Sequence, residues 1–158
     1  PPRGSYRGFG LGNMDSDFRH WVTKLPDDVD RSVVARVWDT CLSVGESIRP
    51  PSWLHTDLRG DNLIADEGHL VAVIDWERCT VGDPSADHLA AWWLFDADSR
   101  ETFRTASGAD KDTWFRAMGW ALHMCVAAIP YYTETNPGFA VQARCALVEI
   151  LSDFSDHA

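Results

Sequence analysis

No apolar run in this sequence is long. The longest, Leu89 to Phe95 (LAAWWLF), falls far short of the roughly 20 residues a membrane-spanning helix needs. No signal peptide is recognisable. Cysteine is sparse: Cys41, Cys79, Cys125 and Cys145 are the full set, and no two stand at CxxC spacing. That excludes the common zinc-ligand patterns and the cysteine framework of a small secreted domain. Reduced thiols in a cytoplasm are the expectation. Lysine is nearly missing, with only Lys24 and Lys111. Fourteen basic residues against 24 acidic ones leave a net charge of −10. Nucleic acid wants a basic face, so this balance argues against such a partner. It suits a cationic partner steered by an acidic surface, and equally suits simple solubility. There is no Walker A pattern, internal repeat or low-complexity tract.

What is present is globular in kind. Apolar residues make up 45% and charged residues 24% of 158 residues. Eight Trp and seven Phe are too many for a disordered chain. The length allows one ordinary domain, or a piece of a larger one, with a real core. The first residues are Pro-Pro rather than Met, which suggests a processed, cloned or truncated start.

Periodicity places the elements. Pro1 to Asp30, rich in Gly, Pro and Asp, reads as an irregular linker with a short helix near Asp17 to Thr23. Asp30 to Ser47 carries Val33, Val34, Val37, Trp38, Cys41 and Leu42 at helical spacing, with Asp30 as a cap and Pro50-Pro51 beyond its end. Asn62 to Ala65 and Leu70 to Ile74 read as two strands joined by a turn at Asp66-Glu67-Gly68. Asp83-Pro84 is a helix start. The helix it opens runs to Phe95, is apolar on nearly every side and is expected to be the central buried one. Further helices are expected over Arg100 to Ala106, Asp110 to Ile129 (ended by Pro130) and Phe139 to Phe154. Trp92, Trp93, Trp114 and Trp120 read as core. Glu149, Asp153 and Asp156 read as a solvated helix face. His20, His88 and His123 show no metal-ligand spacing.

Three polar pieces gather around the hairpin. His55-Thr56-Asp57-Leu58-Arg59-Gly60-Asp61-Asn62 forms an H-x-D-x-x-x-x-N pattern. Ile74-Asp75-Trp76 puts an acid at the exit of an apolar strand. Gly82-Asp83-Pro84 is followed by Asp87. Asp57 and Asn62 close the two ends of one short loop, and the hairpin returns Asp75 beside Asn62. One carboxylate and one amide oxygen then suit a hard dication, and the other carboxylate is left to orient a hydroxyl. Phosphoryl transfer asks for that division of labour.

The run WLHTDLRGDNLIADEGHLVAVIDWERCTVGDPSADHLAAWW resembles the catalytic segment of the aminoglycoside phosphotransferase family, which has a protein-kinase-like fold. The helical context extends the likeness over most of the chain, including Gly119-Trp120-Ala121-Leu122. The resemblance implies an α+β, mainly α fold: the C-terminal lobe of a kinase, a helical bundle with a small β-hairpin carrying the catalytic loop. Residues 31–158 would form that lobe behind the 1–30 linker. Asp57 would be the catalytic base, and Asn62 and Asp75 would hold Mg²⁺ on the phosphates of ATP or GTP. His55, Arg59 and Asp87 would support the catalytic loop, and Asp83 would cap its helix. Arg59 would either meet phosphate or pair with a nearby acid, and Asp61 would be solvated or brace the loop. No nucleotide-binding residue can be named. Thr56 stands where the family usually has Gly, and Trp76-Glu77 where protein kinases have Phe-Gly.

The family also carries an N-terminal lobe with a nucleotide-covering loop, a strand Lys and a helix Glu, and no stretch here matches it. Gly8-Phe9-Gly10-Leu11-Gly12 imitates a Gly-rich loop but has no Val-Ala-x-Lys strand after it, and reads as a linker turn. The implied function is the C-lobe of a cytoplasmic, ATP-dependent kinase. It would phosphorylate a hydroxyl of an aminoglycoside or similar cationic compound and be inactive without the other lobe. A non-catalytic ligand-binding module or truncated remnant, and a choline, macrolide or homoserine-type kinase of the same fold, stay open. A metal-dependent phosphohydrolase fits less well, because this loop supplies too few metal ligands. An exposed apolar face is expected where the missing lobe would sit.

Overall fold

The computed structural model describes residues 8–157, apart from the side chain of His157. Its elements in order are α1 (Asp15–Val22), α2 (Arg31–Ser43), β1 (Ser52–Leu54), β2 (Leu63–Asp66), β3 (His69–Val73), β4 (Thr80–Gly82), α3 (Ser85–His88), α4 (Ala90–Leu94), α5 (Ala97–Ser107), α6 (Lys111–Tyr132) and α7 (Pro137–His157). The expected class, mainly helical with a small hairpin, is the class observed.

The middle of the molecule is α6, not the helix that follows Asp83-Pro84. From Thr113 to Ile129 nearly every α6 side chain is buried. The Asp110 side chain starts it by accepting the Thr113 N–H at 2.8 Å. Pro130 lies inside α6 rather than ending it. Proline forfeits one i→i−4 bond, but this one falls in the last turn. There the Thr133 hydroxyl donates to the Ile129 carbonyl at 2.6 Å and keeps the end satisfied. The segment from Ser85 to Leu94 is broken in two. Leu89 has the tight dihedrals of a 3₁₀ turn (φ −52°, ψ −27°). His88 Nδ1 lies 2.8 Å from the Pro84 carbonyl, in competition with the backbone donor that would continue the helix. Only Ala90, Ala91 and Trp92 of α4 are fully buried.

The opening segment is more ordered than its composition suggests. Leu11, Phe18 and Leu25 belong to the same core as Trp38, Trp120 and Ile129. Phe18 stacks on Trp38 at 4.0 Å, and Trp38 Nε1 donates to Asp15 Oδ1 at 2.8 Å, so α1 is tied to α2 by ring and bond. Gly119 lets this layer close on α6. A Cβ there would lie 2.4 Å from a Leu11 methyl and 3.1 Å from Cys41 Cβ. Gly8 and Gly82 pack against one another, so the glycines near the start cover β4.

On α7 one of the acids expected to face water is largely covered, and a second is half-exposed but paired. Asp153 Oδ2 accepts from both Trp92 and Trp114 indoles at 3.2 Å. Glu149 accepts from the buried Arg100 at 2.9 Å. Asp156 is exposed as expected. Trp92, Trp114 and Trp120 are core, whereas Trp93 is only partly covered and stacks on Phe139.

Two antiparallel pairs of strands sit at one end. In the hairpin Leu63 faces Val73 and Asp66 faces His69, with a bulge between Ile64 and Ala65. Glu67 and Gly68 both have positive φ (46° and 81°), the two-residue turn that suits strand twist. β1 pairs with β4, Trp53 opposite Val81. This second pair has no counterpart in the expectations, because three-residue strands are too short to show alternation. No helix among the described residues is long and apolar enough to cross a membrane.

Candidate active site

The loop from His55 to Asn62 joins β1 to the hairpin, and it is held from below. Asp87 on α3 accepts the His55 N–H through Oδ2 at 2.7 Å and the Thr56 N–H through Oδ1 at 2.6 Å. These are short, charge-assisted bonds to backbone that is otherwise buried. Thr56 is left-handed (φ 68°), an unfavourable region for a β-branched residue. Its hydroxyl donates to the Arg78 carbonyl at 3.0 Å, which helps to keep it there. A glycine would adopt this backbone without strain, which accounts for the residue type expected by resemblance.

His55 is buried. The Asp57 N–H donates to its Nδ1 at 3.2 Å. An amide can only donate, so the ring proton sits on Nε2, which reaches the Ile74 carbonyl at 2.8 Å. The ring thus links the loop to the exit of β3, edge-on to Trp76 at 4.7 Å.

Asp57 and Asn62 converge as their spacing predicts. Asn62 Nδ2 donates to the Asp57 carbonyl at 2.8 Å and to Asp57 Oδ2 at 3.3 Å. Those two bonds orient the amide and leave Oδ1 as its acceptor end. The Ile74 N–H donates to the Asn62 carbonyl at 3.0 Å, which brings Asp75 to the same end of the hairpin. Asp75 is exposed and left-handed (φ 62°). Two left-handed non-glycine residues, Thr56 and Asp75, therefore flank one small site, as strained backbone at functional sites tends to. Asn62 and Asp75 offer a hard donor set of amide and carboxylate oxygen, which fits Mg²⁺ completed by phosphate and water. Among the described residues no group of three His, Cys, Asp or Glu could hold a metal without such partners.

Asp57 also faces a cavity of about 520 Å³. Its walls include Trp21, Tyr131, Tyr132 and Phe139 with Met124, and Arg59 and Arg78 stand at the loop side. His123 lines it too, its Nε2 2.9 Å from Asp17 Oδ2. Of the residues singled out by the motif, only Asp57 and Arg59 reach this cavity. His55, Asn62 and Asp87 face the loop and the hairpin. Arg59 Nε lies 3.2 Å from Asp57 Oδ1 and Arg59 Nη1 3.9 Å from Asp61 Oδ2, so the arginine pairs with acids of its own loop. The aromatic wall had escaped sequence reasoning. Tyr131 and Tyr132 follow the proline expected to end the helix, and Trp21 and Phe139 lie at opposite ends of the chain. Aromatic residues crowded beside the expected helix end were the available signal.

Known proteins are similar to this one. The model of the family described as "Phosphotransferase enzyme family" matches residues 3–120. Hygromycin-B 4-O-kinase of Escherichia coli is 29% identical over 79 residues, which are 50% of this chain and 23% of that protein. The apo form of a thermostable mutant of aminoglycoside phosphotransferase APH(4)-Ia superposes with a TM-score of 0.60 at 21% identity, over 94% of this chain and 53% of the other. A ternary complex of such a mutant with AMP-PNP and hygromycin B superposes equally well, over 52% of its length. At such identity the superposition carries the fold alone. The chain spans about half the length of these solved structures.

Proposed function

Because this chain belongs to the phosphotransferase enzyme family, we propose that it is the acceptor-side half of a kinase that moves the γ-phosphoryl of ATP, or GTP, to a hydroxyl of an aminoglycoside. The observation that carries this reading is the position of Asp57. Asp57 lines the aromatic cavity, while the Asn62 amide that grips it belongs to the hairpin end where Asp75 stands. A substrate hydroxyl in the cavity would meet the carboxylate that orients it and takes its proton. Asn62 and Asp75 would hold Mg²⁺, which when bound neutralises charge on the transferring phosphates. His55 and Asp87 bind no ligand in this reading and keep the loop in register.

The aromatic walls support a ring-shaped acceptor, and Asp57 offers a cationic group its partner although Arg59 and Arg78 also line the cavity. Carboxylate and aromatic faces both favour an ammonium group, and the net charge of −10 draws cations toward the molecule. Hygromycin B is bound in a solved relative, so amino sugars of that kind are the first acceptors to try. Trp53, Leu70, Val71 and Trp76 leave exposed apolar side chains on and beside the two strand pairs. We assign part of this surface to a nucleotide-covering lobe that completes the active site, and the chain alone to the inactive state. Activity belongs in the cytoplasm, where nucleoside triphosphate and reduced thiols coexist.

The decisive experiment is steady-state phosphorylation of an aminoglycoside panel by the complete enzyme and by its Asp57→Ala variant. Turnover should fall about 10²- to 10⁴-fold in the variant, the usual worth of a positioned base. Undiminished turnover would remove Asp57 from the mechanism.

A further inference from the structure

The cavity beside Asp57 already contains a cation, and the cation belongs to the chain. Arg59 leaves the loop with its Nε 3.2 Å from Asp57 Oδ1. Its guanidinium carbon stands 5.1 Å from the centroid of the Phe139 ring. Asp57, Arg59 and Phe139 all line the cavity. Carboxylate on one side and aromatic face on the other is how proteins hold organic cations.

The hold is a loose one. Arg59 Nε is buried yet forms no aligned hydrogen bond, so charge and ring rather than bond geometry keep it in place. The side chain remains partly exposed, and Asp61, an exposed acid on the same loop, lies 3.9 Å from Nη1. The guanidinium therefore has a second carboxylate to turn to without leaving the loop.

We propose that Arg59 is a cation gate, its guanidinium standing against Asp57 and Phe139 where the acceptor's ammonium group binds, so that an acceptor enters by displacing it toward Asp61. What enters the cavity rests on the kinase reading above, but the gate itself does not. A neutral sugar offers nothing to replace the guanidinium and leaves the gate shut. An amino sugar carries ammonium and hydroxyl groups close together, so one carboxylate can attract the first and orient the second. Arg59 is in this sense a specificity-determining residue that selects charge.

The test uses the chain itself, titrated calorimetrically with methylguanidinium and with methylurea, its neutral counterpart. Arg59→Ala should bind methylguanidinium roughly tenfold more tightly than the unsubstituted chain, and neither should bind methylurea. Arg59→Met, whose stem still covers Phe139, repeats the measurement with the packing kept. Adding Asp57→Asn should abolish the gain. Equal affinity of all chains for methylguanidinium, or methylurea bound as well as methylguanidinium, would overturn the gate. Hygromycin B separates this inference from the proposed function. It should bind Arg59→Ala more tightly than the unsubstituted chain. If methylguanidinium shows the gain and hygromycin B binds neither chain, the gate stands and the acceptor assignment falls.

Discussion

Asp87 acts through two backbone amides rather than through any ligand. It spends both carboxylate oxygens on the N–H groups of His55 and Thr56. His55 and Thr56 are themselves buried, so no water replaces a lost acceptor. Leaving two buried amides unmatched costs about 1–3 kcal/mol each. Asp87→Ala should therefore lose about 2–6 kcal/mol of unfolding free energy in chemical denaturation. Asp87→Asn, which keeps one acceptor, should lose less. A loss for Asp87→Ala no larger than that of an ordinary surface substitution would mean that the loop holds its shape without the brace. Thr56 sharpens the case, since left-handed backbone at such a residue is strained by about 1–2 kcal/mol and needs neighbours to enforce it.

Among the elements, α6 shows how one cap serves a whole helix. The Asp110 carboxyl is held down at about 2, mainly by hydrogen bonding from Thr113 and further by Arg49. A carboxylate depressed on folding adds stability above its unfolded value of about 4. That contribution drains away as pH falls from there through about 2. Asp110→Ala should cost about 1 kcal/mol at neutral pH, as lost helix caps do. The gap between variant and unsubstituted chain should close by the acid end of a series of denaturation curves. A gap that persists unchanged at pH 2 would assign the effect to packing instead. At the far end of α6 the same bookkeeping explains Pro130: a terminal turn loses little, so Tyr131 and Tyr132 stay on the helix and face the cavity.

Across the whole molecule, the four thiols report how the core is closed. Cys41 is pushed up to about 12 by burial, and Cys125 well above its ordinary value by the same cause. Cys145 is exposed and Cys79 half-buried. A thiol reagent at neutral pH should therefore find Cys145 quickly, Cys79 more slowly, and Cys41 and Cys125 only after denaturant is added. Fast labelling of Cys41 would mean that α2 separates from α6 in solution. The same scale brings in length: a chain with about half the span of its solved relatives keeps a closed helical core but shows apolar side chains on its strand pairs.

Local chemistry was enough for the chain's class and its loop. The spacing from His55 to Asn62, the acid after Ile74 and the Asp30 cap are written in consecutive residues, so sequence alone placed Asp57 with Asn62, the hairpin and most helices. It failed wherever a partner far along the chain decides. β4 exists because β1 lies beside it. Asp153 is held under Trp92 and Trp114 because α7 folds back over them. Trp21 and Phe139 become one wall only when α1 packs on Tyr131 and α7 on Tyr132 at the end of α6. Arg59 could be read as a phosphate contact or an ion pair until the fold set Phe139 beneath it. Motifs report bonds between near neighbours. Cavities, burial and charge pairing across helices depend on tertiary contacts that no short stretch encodes.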